Sequence, residues 1–180
     1  MRSVLIPHPD TPGPDIRISV EADRKPNGVL ALAYIVTGET ARIVRPAHVI
    51  PPGRADELWT TTCFEAFITV PGAQAYVEIN LSPSLNWAAY RFDGYRAGMA
   101  PLEIAAPPIL APKEGETIFL GAEIALGEVA DLSPDGAWRL GLSAVIEETS
   151  GRKSYWALAH AAGKPDFHHP DGLVLDLPPA

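Results

Sequence analysis

Apolar and polar positions alternate along much of the chain, and proline, glycine or small polar clusters break the alternation at short intervals. A period of two sends successive side chains to opposite faces of a strand, and no long stretch repeats apolar residues at helical spacing. The pattern predicts strands over Ile16 to Ala22, Val29 to Thr37, Phe64 to Val70, Ala75 to Leu81, Trp87 to Asp93, Thr117 to Leu126, Trp138 to Ile146, Ser154 to His160 and Leu173 to Leu177. Short strands in this number suit an all-β antiparallel β-sandwich or jelly roll. Between Ala122 and Leu132 the composition also tolerates a helix, though Gly127 argues against a long one. The Pro-rich stretches Pro7 to Pro14, Pro101 to Pro112 and Pro178 to Ala180 read as loops or tails. None resembles a linker, so residues 1–180 are expected to form one domain.

Parity constrains how the central strands pair. Phe64, Ala66, Ile68 and Val70 are apolar at even positions, and Ala75, Val77, Ile79 and Leu81 at odd ones. Burying both sets on one face requires even residues to pair with odd ones, which pairing Val70 with Ala75 across the Pro-Gly-Ala-Gln turn achieves. Glu65 then falls opposite Asn80, and Phe67 opposite Glu78. The same rule applied to the turn Ser82 to Asn86 pairs Leu81 with Ala88, so that Ala88, Tyr90 and Phe92 extend the aliphatic face. Glu78 is then expected opposite Arg91, and Trp87 opposite Ser82.

The face turned away from the aliphatic side would gather Trp59, Thr61, Glu65, Tyr76, Glu78, Asn80, Trp87 and Arg91. Carboxylate, amide and guanidinium groups make directional hydrogen bonds to hydroxyls, and indole rings cover the apolar faces of a sugar ring. Two readings of this face stand. One is an ordinary solvated sheet face with a Glu78–Arg91 surface ion pair, and the other a covered recess holding a satisfied polar network or a ligand. A second hairpin, over Trp138 to Ile146 and Ser154 to His160, adds Trp156 as a candidate ligand contact or core residue.

Charge narrows the partners. With 22 acidic against 14 basic residues the net charge is −8, so no global field draws nucleic acid or anionic lipid, and neutral or cationic small molecules remain open. The apolar run near Met1 is too short for a signal peptide and no later run approaches a membrane span, from which a soluble, cytoplasmic protein is expected. Cys63, the single cysteine, has no disulfide partner and no zinc-site spacing, and is expected to be a small strand residue.

No nucleophile elbow, phosphate-binding glycine loop or HExxH helix occurs, so catalysis is not signalled and no cofactor is expected. Glu65 and Glu78 form a conceivable glycosidase pair but read better as binding groups. Adjacent His168 and His169 point opposite ways on an extended chain and make a poor chelating pair; they are expected to be loop histidines satisfied by backbone.

Three segments together resemble a known family: ELWTTTCFEAFI (Glu57 to Ile68), YVEINLSPSLNWAAYRFDGYRAGM (Tyr76 to Met99) and SYWALAHAAGKPDFHHPDG (Ser154 to Gly172). They look like the bacterial DOMON-like proteins, relatives of family-9 carbohydrate-binding modules, and cover roughly the last two thirds of the chain. The resemblance implies a jelly-roll β-sandwich in a superfamily that binds sugars or haem. Its sugar-binding role carries over to Trp59, Glu65, Glu78, Asn80, Trp87 and Arg91, with a soluble sugar or sugar derivative as ligand. The haem alternative implies axial ligands from Met99 with His160 or His168. A third class is a protein-interaction module docking a partner on the aromatic patch.

Overall fold

The structure, a computed structural model, describes residues 1–113, 115–133 and 135–180. Among these there is no α-helix, only strands joined by turns and short 3₁₀ segments. The first sheet contains β1 (Arg2–Pro7), β2 (Ile16–Lys25), β3 (Val29–Gly38), β8 (Ile109–Leu110) and β9 (Ile118–Ala125), in the order β1-β2-β3-β9-β8. The second contains β4 (Cys63–Thr69), β5 (Tyr76–Leu81), β6 (Trp87–Phe92), β7 (Ala100–Pro101), β10 (Trp138–Glu147), β11 (Lys153–Ala157) and β12 (Leu175–Leu177). Its order is β7-β6-β5-β4-β10-β11, with β12 beside the start of β10. Every strand pairing is antiparallel. β1 belongs to both sheets: Arg2 to Leu5 pair with β2, and Ile6 and Pro7 pair with β11.

One aliphatic core fills the space between the sheets. Ile18, Val20, Leu30, Leu32, Leu120 and Ile124 from the first meet Phe64, Ala66, Ile68, Val77, Ile79, Leu81, Leu140 and Leu142 from the second in one buried cluster. Tyr34 ties the layers together, because its hydroxyl donates to the Glu65 carbonyl at 2.7 Å while its ring packs 4.9 Å from that of Phe64. The predicted strands form, with differences at several places. β1 and the two-residue strands β7 and β8 were not expected, β11 stops at Ala157, β12 begins at Leu175, and the stretch after Ala125, where a helix was tolerated, folds as turns. In that last stretch a Cβ on Gly127 would sit 2.2 Å from the Asn27 carbonyl oxygen, so a close backbone crossing fixes the chain there.

The register of β4 on β5 is the expected one, with Glu65 opposite Asn80 and Phe67 opposite Glu78. That of β5 on β6 is one residue away from expectation. Ser82 N–H bonds the Asn86 carbonyl at 3.0 Å, closing a three-residue loop in which Leu85 takes a left-handed φ of 76°. This three-residue hairpin pairs Leu81 with Trp87 and Glu78 with Tyr90, and a slip of one exchanges the faces of a strand. Trp87 therefore joins the aliphatic core, with the Arg54 guanidinium 4.9 Å above its ring. Arg91 pairs opposite Val77 and reaches Asp93 and Asp131 at 3.1 and 3.6 Å instead of Glu78. Tyr90 and Phe92 take the face the sequence reading had given to Trp87 and Arg91.

Candidate functional site

The second face of the β4–β5–β6–β10–β11 sheet is covered, not solvated. Glu65 from β4, Glu78 from β5, Phe92 from β6, Val145 from β10 and Tyr155 from β11 form the floor of a cavity of about 370 Å³. Three connections wall it: the 3₁₀ turn Leu58–Thr60 supplies Trp59, the 93–99 loop supplies Arg96 and Met99, and the segment after β11 supplies Pro165, Phe167 and His168. Gly141 admits that last segment close to the sheet, since a Cβ there would lie 3.0 Å from the Gly172 carbonyl oxygen. A second buried cluster, with Cys63, Phe67, Tyr76, Tyr90 and Phe92 among its members, packs beneath the covering loops.

The polar groups fall into two sets. In the first, Asn80 is fully buried and its amide donates to Glu78 Oε1 at 2.7 Å. Tyr76 stacks on Phe92 at 4.7 Å, and its hydroxyl meets His168 Nδ1 at 2.8 Å. That hydroxyl also accepts from the Arg96 backbone N–H at 3.3 Å, an arrangement satisfied when Tyr76 donates to Nδ1 and His168 carries its proton on Nε2. Nε2 then faces Glu78 Oε2 across 3.8 Å. Burial first and the Arg96 charge second lower the His168 pKa to about 4, only partly opposed by Asp166, so this is a contact with a neutral ring and not an ion pair. Arg96 in turn is held by Asp166 at 2.7 Å, a carboxylate that also accepts from the Tyr95 hydroxyl.

The second set is Glu65 and its surroundings. The residue is 3% exposed, and its carboxyl has Ser143 as a hydrogen-bonding neighbour. Burial, then the nearby charge of Glu78, push its pKa well above the usual carboxylate range; Ser143, its cross-strand neighbour, offsets part of the rise. Burial also raises Glu78, against the opposing influence of Asn80 and Arg96. Among the described residues, no group of three or more His, Cys, Asp and Glu side chains is arranged to hold a metal ion.

The structure thus brings Trp59, Glu65, Tyr76, Glu78 and Asn80 together as expected. Trp59 sits at the rim with its ring edge-on to Tyr90 at 6.2 Å, while Thr61 donates to Glu147 at 2.6 Å. Trp156 faces the aliphatic core opposite Ala144, with its indole N–H on the Ser154 hydroxyl, so it is Tyr155 that meets the cavity. His168 was read as a loop histidine satisfied by backbone and instead lines the cavity, whereas His169 does contact backbone, with Nδ1 accepting from the Asp171 N–H at 3.2 Å. The residues do not fit the haem pairing well: His160 Nε2 is engaged by the Ile6 carbonyl at 2.9 Å and does not line the cavity, and both nitrogens of His168 face the partners named above. Phe92, Arg96, Tyr155 and Phe167 were not singled out. Tyr155 was legible in principle, as the neighbour of a core Trp in an alternating strand.

No family model matches the chain, and no curated protein matches it. Solved structures do match in fold. A candidate carbohydrate-binding protein of Bacteroides uniformis superposes with a TM-score of 0.67 at 14% identity, over 98% of this chain and 85% of that one. A family-9 carbohydrate-binding module of Caldicellulosiruptor kristjanssonii matches in complex with cellotriose (TM-score 0.56, 12% identity, 99% and 81% covered) and with glucose (0.52, 11%, 94% and 80%). At these identities the likeness is one of architecture: the chain is an antiparallel β-sandwich of the kind those modules have.

Proposed function

We propose that the cavity binds a carbohydrate or sugar derivative without turning it over. The observation that carries this reading is the enclosure of buried polar groups by aromatic rings: Trp59, Phe92, Tyr155 and Phe167 offer surfaces for the C–H faces of a ring, and Glu65, Glu78 and Arg96 offer hydrogen-bonding groups in the same space. The fold shared with modules solved with glucose and with cellotriose supports it. Binding is favoured over hydrolysis because the solved structures of this architecture are carbohydrate-binding modules.

The test is calorimetric titration with glucose, cellotriose and a panel of other mono- and oligosaccharides. Saturable binding is expected, with affinity reduced about ten-fold or more in Trp59→Ala, which removes a rim ring. Failure of every saccharide to bind the folded wild-type protein would overturn the reading and favour a protein partner for the aromatic patch.

A further inference from the structure

Resting on the sugar-binding reading, we propose that the cavity selects a ligand bearing a positively charged amino group, such as an amino sugar, and seats that group between Glu65 and Glu78. Three observations converge. First, Glu65 is buried, lines the cavity and has only the Ser143 hydroxyl as a side-chain hydrogen-bonding neighbour, with the charge of Glu78 nearby. A buried carboxyl with a single hydroxyl beside it is costly to ionise, and a ligand donor relieves that cost. Second, the surroundings are rich in acceptors. Asn80 occupies only Oε1 of Glu78, leaving Oε2 3.8 Å from His168 Nε2, and Ser143 beside Glu65 is buried. An ammonium group brings three donors and no acceptor, which matches this deficit, whereas a sugar hydroxyl brings one donor.

Third, the local charge is only partly compensated. Arg96, which lines the cavity, is paired with Asp166 at 2.7 Å and acts on Glu78 only as a charge, and His168 is neutral, so the two nearby carboxyl groups have no cation bonded to them among the described residues that line the cavity. Aromatic faces from Trp59, Tyr155 and Phe167 complete an enclosure that attracts cations through their ring quadrupoles. The same arrangement repels uronates and sugar phosphates. Seating a cation reverses the mutual repulsion of the carboxyl groups and draws Glu65 into its ionised form, so binding releases a proton wherever Glu65 is protonated in the free protein.

The experiment titrates the wild-type protein with glucosamine, glucose, N-acetylglucosamine, glucuronate and tetramethylammonium in two buffers of different ionisation enthalpy. Glucosamine is expected to bind about ten-fold or more tighter than glucose, with proton release, and glucuronate is expected to bind most weakly. In Glu65→Gln, the preference for glucosamine over glucose is expected to collapse; the wild-type ratios decide the matter if that variant does not fold. Glucose or glucuronate binding as tightly as glucosamine would overturn the inference and leave the sugar reading standing. Tetramethylammonium binding while no saccharide does would overturn both the inference and the sugar reading and leave an aromatic cation site that needs no N–H donor. No binding by any of the five would overturn the inference, with the wider saccharide panel then deciding the sugar reading by itself.

Discussion

The two faces of the β4–β5–β6–β10–β11 sheet come from the same strands, one residue apart, and do opposite things. One carries Phe64, Ile68, Val77, Ile79, Leu81 and Leu142 into a core that excludes charge. The other carries Glu65, Glu78 and Asn80, all at most 5% exposed, under a cover of loops. Burial is nearly as complete on both, so burial alone does not separate scaffold from site. What separates them is what burial costs: the core face is apolar and close-packed, whereas the cavity face buries two carboxyl groups whose ionisation burial disfavours, a cost that ligand contacts can offset.

Substitutions on the two faces should break apart in stability and binding. Ile79→Ala, on the core face, is expected to cost about 2–5 kcal/mol in urea denaturation through lost contacts and a cavity, the largest effect here. Trp59→Ala, at the rim and 37% exposed, is expected to weaken saccharide binding while unfolding at close to the wild-type urea concentration. A loss of stability as large as that of Ile79→Ala would show the rim ring to be scaffold.

Proton linkage sharpens the contrast. Glu65 has a folded-state pKa above its ordinary 4.5, so the unliganded wild type loses stability relative to Glu65→Gln as pH rises from there through the raised value. His168 has a folded-state pKa of about 4 against an ordinary 6.5, so the stability it contributes is complete above pH 6.5 and lost as pH falls toward 4. Melting curves of wild type, Glu65→Gln and His168→Gln between pH 4 and 8 should therefore diverge in opposite directions; parallel curves would mean neither group is held as described. The smallest effect is expected for Arg91→Ala. Its ion pairs with Asp93 and Asp131 are partly exposed, contributing about 0–1 kcal/mol, and saccharide affinity should not change because the side chain lies outside the cavity.

Much of the scaffold was legible because alternation is strong where one face is aliphatic. Parity placed Glu65 opposite Asn80 and Phe67 opposite Glu78 correctly, since Phe64 to Val70 and Ala75 to Leu81 each have one unambiguous apolar set. It failed at Trp87 to Phe92, where Trp87 and Ala89 are as apolar as Ala88 and Tyr90 and either phase buries a plausible face. The deciding element was the three-residue loop Pro83–Ser84–Leu85, whose left-handed position is filled by Leu, a residue that does not advertise that conformation. The loop between β10 and β11 has the same form, closed by Glu148 and Arg152, but there Gly151 marks the left-handed position, with φ +85°. The cavity walls from residues 93–99 and 158–172 were not legible, because loops fold over a sheet through long-range contacts that leave no period in the sequence.

The double membership of β1 also governs how the molecule is assembled. Ile6 and Pro7 find their partners in Trp156 and Ala157, some 150 positions along the chain, so neither sheet can be completed until most of the polypeptide is available. Until that late pairing the border of β11 remains open to strands of other molecules, and removing the N-terminal strand would leave the borders of both β2 and β11 so permanently.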